Sequence, residues 1–459
     1  MFDKLTVCGL SHLQTGGRGI KLKGSKMKKT NLESYYKFAE SGTTGKREVL
    51  AGFVSYFTIV YIIIVNSMIL SEAGIPLNGA ILATILISAV GCIFMGLYAN
   101  VPIILVPGMG INAMFAYTMV QGMGLSWQSA LAAVFVSGLI FVAIAFSRYL
   151  NVINASIPHS LKEAISIGLG LFLLFLGLEK GGLITAGSST LLQVGDFGNA
   201  EVIATILTMI LAFVLFIRNV PGNFLLTIIA GTVIACICGT INLTDIALTV
   251  PEVSEYKEVF NALTFVEINR LEFWIAVFSM TMVLVFENIG LVHGYVNSIG
   301  KPERYQKAFQ ATGISVLLSG ILGSSPPVAT AETAAGIASG GRTGFTSVVT
   351  GILFLFSFLF VPVIKVIPNS AIAPILIIIG ILMLSNIKYL DFDDFSESIP
   401  AIMIIVMIPY TLSIPDGMAA GFILYPILKI AAGKANHVSK PMYFIALLFL
   451  TYFVIGVIS

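Results

Sequence analysis

A succession of apolar runs constrains this chain more than any other feature, because each is close to the roughly twenty residues a helix needs to cross a bilayer. They lie near 49–71, 78–98, 101–120, 126–147, 161–178, 201–217 and 221–242. After a polar stretch from Leu243 to Glu272 the pattern resumes near 273–297, 306–322, 325–340, 343–366, 370–387, 397–413 and 415–432, and a last run covers 441–458. Of the 459 residues 57% are hydrophobic and only 10% charged, against about a quarter charged in soluble domains. The chain therefore reads as an all-α polytopic membrane protein whose first partner is the lipid bilayer.

The two sets of seven share a rhythm. Each has a long first segment, a third interrupted by Gly and Pro, a long fourth, and two closely spaced segments at the end. An odd number of crossings per repeat inverts the second repeat relative to the first, so the expectation is fourteen transmembrane segments in a 7+7 inverted repeat. Charge agrees: one set of connections carries Arg148, Lys162, Arg218, Lys301, Arg304, Lys307 and Arg342, whereas the other holds Asp196, Glu201, Asp245, Glu252, Glu255, Glu258, Glu267 and Glu272. The positive-inside rule places the first set and the amino terminus in the cytoplasm. The connection Lys388–Glu397 is acidic and goes against the pattern. Residues 441–458 either span or lie along the interface.

Residues 1–47 carry ten Lys or Arg and no apolar core, so they read as a cytosolic tail rather than a signal or transit peptide. Met27, followed by two lysines and an amphipathic lead-in at Leu32–Phe38, is the expected translation start. A net charge of +2 gives no support to a nucleic-acid partner. Cys8, Cys92, Cys236 and Cys238 lack metal-site or disulfide spacing and read as small apolar residues, so no metal is expected. There is no His-Glu-x-x-His, Gly-x-Ser-x-Gly or P-loop, which leaves little ground for an enzyme.

In inverted-repeat transporters the site tends to lie where the short, broken segments of the two halves meet. Here these are segment 3, Val101-Pro-Ile-Ile-Leu-Val-Pro-Gly-Met-Gly-Ile-Asn112, and segment 10, Gly323-Ser-Ser-Pro-Pro-Val-Ala-Thr-Ala-Glu332-Thr. Proline removes a backbone donor and disfavours helix just before it, so 101–107 and 324–330 should be extended, with helices starting near Gly108 and Thr330. Two helix starts would then face each other at the midplane. Their free N–H groups, with Gly110 on one side and Thr330 and Ala331 on the other, form a cradle for the carbonyl or ring nitrogens of a flat heterocycle.

Two carboxylates stand deep in apolar sequence, Glu287 and Glu332. An ionisable residue at that depth generally marks a substrate, ion or proton path. Gly290 and Gly294 follow Glu287 at i+3 and i+7 and share its helical face, leaving room for a ligand. His293 points away from that face and reads as a packed or interfacial residue. A carboxyl group held in an apolar site can take a proton on one side of a membrane and release it on the other, so both glutamates are also candidates for proton coupling. No other cofactor is expected.

At this point the residues resemble a known family, the nucleobase–cation symporters of the second type, in the adenine/guanine/hypoxanthine permease branch. The likeness is carried by Arg47-Glu-Val-Leu-Ala-Gly-Phe, Val60-Tyr-Ile-Ile-Ile-Val-Asn66, Val106-Pro-Gly-Met-Gly-Ile-Asn-Ala113, Ile157-Pro-His-Ser-Leu-Lys162 and Ala331-Glu-Thr-Ala-Ala-Gly-Ile-Ala-Ser-Gly-Gly-Arg-Thr-Gly344. It implies short strands in segments 3 and 10 and a core domain of segments 1–4 (48–148) and 8–11 (273–366). The complementary gate domain would comprise segments 5–7 (149–242) and 12–14 (367–432), with an extracellular loop at 243–272 and a C-terminal apolar helix at 433–459. It further implies that Glu332 binds a purine base, that Glu287 binds or couples, that Asn112 lines the site, and that the protein is a homodimer in the inner membrane.

The branch usually has Asp-Thr where this chain has Glu287-Asn288, whereas the uracil and xanthine branches often have Glu. Proton-coupled uptake of hypoxanthine or guanine by alternating access is the leading expectation, and adenine is next. A xanthine or uracil symporter, or an anion transporter on the same architecture, is the alternative.

Overall fold

The computed structural model describes residues 31–147, 157–187, 190–241, 253–364 and 366–458. Met27 and most of the basic tail, with Cys8, lie outside the described residues, as do Arg148, Asp245 and Glu252. Eight helices are long and apolar enough to cross a membrane: Gly45–Glu72, Leu77–Ala99, Trp127–Phe146, His159–Lys180, Ala200–Ile217, Leu271–Ser298, Asn369–Tyr389 and Ile414–Ala431. They are segments 1, 2, 4, 5, 6, 8, 12 and 14. Asn223–Ile237, Tyr305–Leu322, Gly344–Phe360 and Phe395–Thr411 supply segments 7, 9, 11 and 13. Segments 3 and 10 are broken, and each contributes a short strand, β1 (Leu105–Pro107) and β4 (Pro327–Ala329). A separate hairpin, β2 (Ile184–Ala186) with β3 (Leu192–Val194), follows segment 5.

The 7+7 inverted repeat is visible in the packing. Segment 4 lies along segment 9 and segment 2 along segment 11; segment 1 packs on 11 and segment 8 on 4. Segment 5 packs on 13 and segment 12 on 6, while 7 meets 1 and 14 meets 8. Shifting each member of a pair by seven, up from the first repeat and down from the second, gives its counterpart. Two contacts map onto themselves, that between segments 5 and 12 and that between the strands of 3 and 10. At the 5–12 crossing a Cβ on Gly170 would lie 2.8 Å from the Gly380 carbonyl oxygen, and one on Gly380 would lie 2.6 Å from that of Gly170. With no hydrophobic drive between helices in lipid, this close backbone approach is what their packing rests on.

Local structure departs from the sequence reading at three places. Segment 1 is interrupted, its helices ending at Ile59 and restarting at Ile62, with i→i−3 bonds from Ile63 to Val60 and from Ile64 to Tyr61. No Gly or Pro announces that tightened turn. In segment 10 the helix is Thr333–Ala338 and starts later than expected, because Thr330–Glu332 form a tight turn whose carbonyls accept from Thr333, Ala334 and Ala335. The stretch before segment 8 is not all loop: it contains the helix Val253–Val259, which buries Val259 and packs on segment 2.

We call the side on which residue 45 lies the near face and the opposite side the far face. The acidic connection Lys388–Glu397 is explained by pairing on the near face. Lys429, 3% exposed, holds Glu397 at 2.7 Å and Asp394 at 3.3 Å, and Lys434 meets Asp394 at 2.7 Å. Lys434, with Ser396, keeps the Asp394 carboxyl well below the usual range. On the far face burial pushes Glu267 up, but hydrogen bonds from Ser129, Ser126 and Arg270 outweigh it and hold the group at about 2. The lead-in helix Asn31–Tyr36 is followed by Phe38, and buried Tyr36 and Phe38 pack on Phe345 with ring centroids 5.3 and 5.5 Å away.

Segments 10 and 11 are tied to segment 1 by Glu48, which is fully buried and accepts from the backbone N–H of Arg342 (2.8 Å), Thr343 (3.2 Å) and Thr346 (3.3 Å) and from the Thr346 hydroxyl (2.6 Å). Removing the acceptor strands several buried donors, so Glu48→Ala should destabilise the protein by about 3–5 kcal/mol and Glu48→Gln, which keeps one oxygen, by less. Thermal unfolding of the detergent-purified variants measures this, and equal midpoints for Glu48→Ala and the parent would remove Glu48 from that role.

Candidate functional site

Lipid offers no hydrogen-bond partner, so extended backbone at membrane depth must be satisfied within the protein. Segments 3 and 10 do so by pairing with each other. β1 runs antiparallel to β4 with Leu105 opposite Ala329, Val106 opposite Val328 and Pro107 opposite Pro327. The Gly108 N–H donates to the Pro326 carbonyl (3.3 Å) and that of Ile104 to the Thr333 hydroxyl (3.2 Å). Pro107, Pro326 and Pro327 have no N–H to satisfy, so the prolines that break the helices also reduce the number of donors exposed by the break. Both strands are fully buried.

Beyond β4 the chain turns through Thr330, Ala331 and Glu332. Ala331 is exposed and Glu332 half-buried. The Tyr61 hydroxyl, from the break in segment 1, donates to Glu332 Oε1 at 2.7 Å, and Tyr61 is itself 2% exposed with its ring edge-on to Phe224 of segment 7. Segment 8 brackets the turn from the other side: Asn288 Oδ1 accepts from the Ala329 N–H (3.0 Å), and the Tyr295 hydroxyl donates to the Thr330 carbonyl (2.9 Å). Glu287 is next to Asn288, and its Oε2 is buried without a hydrogen-bond partner. Among the described residues neither Glu287 nor Glu332 has a basic partner.

The face of segment 8 that carries Glu287 opens toward the near face. Residues from Ile275 to Phe286 are almost all buried, whereas Gly290, His293, Gly294, Asn297 and Ser298 are exposed. A Cβ on Gly290 or Gly294 would meet nothing within 4 Å. His293 bonds Asn297 one turn on and lies edge-on to Tyr305.

The bracket of segment 8 on segment 10 thus sets the helix that carries Glu287 against the turn of Thr330, Ala331 and Glu332. Asn112 is placed differently. It is fully buried, with the Ser325 hydroxyl 2.7 Å from its Oδ1, and Ser325 also reaches Asn66 Oδ1 at 2.9 Å. Gly110 lies against segment 5, where a Cβ would come 3.1 Å from Leu169. Sequence reasoning passed over Tyr61, Asn288 and Tyr295 as site residues. A tyrosine among the isoleucines of a mid-membrane stretch was the available signal for Tyr61; Tyr295, one residue past the Gly294 of the Glu287 face, had none.

A cavity of about 930 Å³ lies away from both glutamates, at the far-face ends of segments 1, 3, 5, 12 and 13. Here Lys180 is ion-paired with Glu72, which also accepts from the Tyr117 hydroxyl (2.8 Å), and the Thr118 hydroxyl donates to the Leu412 carbonyl (3.1 Å). These contacts join segments 1 and 3 to segments 5 and 13.

Fold and site define a secondary transporter rather than an enzyme: a multi-pass membrane protein with unpaired carboxylates at the meeting point of two inverted halves. The chain matches the xanthine/uracil permease family, described simply as a permease family, over residues 46–420. It belongs to that family, the nucleobase–cation symporters of the second type. The nucleobase transporter PlAzg2 of Paenibacillus larvae is 49% identical over 383 residues, covering 83% of this chain and 77% of that one. The adenine permease AdeP of Escherichia coli is 35% identical (95% and 96% of the two chains), and the guanine/hypoxanthine permease PbuG of Bacillus subtilis 35% (92% and 99%). Among solved structures the transmembrane domain of a cyanobacterial bicarbonate transporter, BicA, shares the fold, with a TM-score of 0.59 at 15% identity over 82% of this chain and 97% of that one.

The open face of segment 8 can be tested by labelling. In a background without native cysteines, Gly290→Cys and Gly294→Cys should react with an impermeant maleimide applied from the near face, and Ala276→Cys should not. Equal labelling at all three positions would mean that the face is not open in this way.

Proposed function

We propose that the protein imports purine nucleobases together with protons across the cytoplasmic membrane, with hypoxanthine or guanine favoured and adenine next, the near face being cytosolic. The observation that carries this reading is the pair of carboxylates, Glu287 and Glu332, held without basic partners beside a turn of open backbone. A carboxylate accepts a charge-assisted hydrogen bond from a ring N–H of hypoxanthine, and from the adjacent ring N–H and exocyclic amine of guanine in a bidentate contact. The relatives named for adenine and for guanine/hypoxanthine support the substrate class. Glu332, aligned by Tyr61, is the proposed base acceptor. Glu287, with a free oxygen, is the proposed coupling group and second contact. Thr330 and Ala331 offer backbone to the base, while Gly110 and Asn112 support the site from segment 3.

Segments 1–4 and 8–11 act in this reading as a core that carries the site, segments 5–7 and 12–14 as a gate, and the unit in the membrane is a homodimer. The far face is tied across that division by Glu72 with Lys180 and by Thr118 with Leu412, while the near half of segment 8 is open. That asymmetry supports alternating access, with the structure in its inward-facing form. An anion substrate fits poorly, because it would meet two carboxylates and no paired cation.

Uptake of labelled hypoxanthine into cells lacking their own permeases should collapse with a protonophore and fall at least about 100-fold in Glu332→Gln. Uptake indifferent to the protonophore removes the proton; uptake undiminished in Glu332→Gln removes the site. Tyr61→Phe, which deletes one hydrogen bond to a charged group, should weaken binding about 10- to 100-fold. The Glu72–Lys180 pair is partly exposed, so Glu72→Gln should release about 0.5–1 kcal/mol and shift the inward/outward ratio about 2- to 5-fold, read as slower near-face labelling at Gly294→Cys.

A further inference from the structure

Asn288 is fully buried, and both ends of its amide are in use: Oδ1 accepts from the Ala329 N–H at 3.0 Å and Nδ2 donates to the Leu284 carbonyl at 2.8 Å. The twofold relation that exchanges the two strands maps Pro107 of β1 onto Ala329 of β4, with Val106 and Val328 at the centre. Proline has no N–H, so β1 has nothing to satisfy at that position, whereas β4 does. Segment 8 supplies the missing acceptor through Asn288. Seven residues further along the same helix the Tyr295 hydroxyl takes the Thr330 carbonyl. The backbone leading from β4 to Glu332 is therefore held at two points by the helix that carries Glu287.

We propose that Asn288 is a positioning residue: it sets the spacing between Glu287 and the turn Thr330–Glu332, and with it which purine edge the two carboxylates accept. The inference rests on the nucleobase reading above. A purine is rigid and flat, so two acceptors on two elements discriminate among bases only if the elements are fixed relative to each other. A mismatch leaves a buried polar group unpaired, which is a strong source of discrimination. The requirement on position 288 is specific. The side chain must present an acceptor at amide length to Ala329; its donor meets the Leu284 carbonyl within the same helix and does not set the spacing to segment 10. Leucine has the same shape and no acceptor; serine is too short to span the gap; aspartate keeps the acceptor at the same reach.

The test is competition of hypoxanthine, guanine, adenine and xanthine against labelled hypoxanthine on purified protein, with thermal unfolding measured in parallel, for the parent, Asn288→Leu, Asn288→Ser, Asn288→Asp and Glu332→Gln. The expected result is a change of about tenfold or more in the ratio of affinities between bases for Asn288→Leu and Asn288→Ser, and a ratio within about threefold of the parent for Asn288→Asp. If Asn288→Leu does not fold, Asn288→Ser carries the comparison. Variants that unfold earlier but keep the parent's ratios would overturn the proposal, since that pattern belongs to a purely structural residue. If instead Glu332→Gln binds as the parent does, or the parent binds no purine, the nucleobase reading fails and takes this inference with it.

Discussion

Extended backbone cannot stand alone in a bilayer, and the rest of this structure is arranged around that constraint. Breaking segments 3 and 10 with proline creates donors and acceptors that lipid cannot satisfy. The antiparallel pairing of β1 with β4 resolves them and in doing so fastens the two inverted halves to each other. Once the strands are paired, the turn after β4 is fixed at the centre of the molecule, and Asn288, Tyr295 and Tyr61 can each reach it from segments 8 and 1. The turn that carries Glu332 is placed by a backbone requirement before any requirement of substrate enters.

Much of this was legible in the sequence because its causes are local. The apolar runs, the prolines at 102, 107, 326 and 327, and the two lone glutamates act through composition and backbone chemistry, and each led to the element now seen. What was not legible depends on partners distant in the chain. The break at Tyr61 contains neither Gly nor Pro; its tyrosine reaches a glutamate 271 positions away. The late helix start at Thr333 follows from the tight turn that Thr330–Glu332 make between two fixed points. The acidic loop near Asp394 contradicted the charge pattern only until Lys429, which the sequence presents as the end of an apolar span, was seen to fold back onto it.

The scaffold is nearly symmetric but the chemistry is not. Under the relation that maps β1 onto β4, Gly110 corresponds to Glu332 and Asn112 to Ala334. The first half contributes packing there: Gly110 allows Leu169 of segment 5 to approach, and Asn112 is absorbed with Ser325 and Asn66 in a buried polar network. The second half contributes the carboxylates and the exposed backbone. The two carboxylates without basic partners thus lie in one repeat only, although Tyr61 of the other reaches Glu332.

Tyr61 links these two tasks. Its hydroxyl is committed to Glu332 and its ring to Phe224 on segment 7, one of the segments assigned to the gate. A side chain buried to 2% exposure in contact with both cannot keep both contacts if those segments move relative to segment 10. Either the ring slides on Phe224 while the hydrogen bond holds, or the bond breaks and Glu332 loses a donor that stabilises its charge. The first alternative leaves the carboxylate unchanged through the transport cycle; the second makes its preference for a proton depend on which side the site faces. The proposed coupling requires some contact of the second kind, and Tyr61 offers one, because the donor to Glu332 also touches segment 7 of the proposed gate.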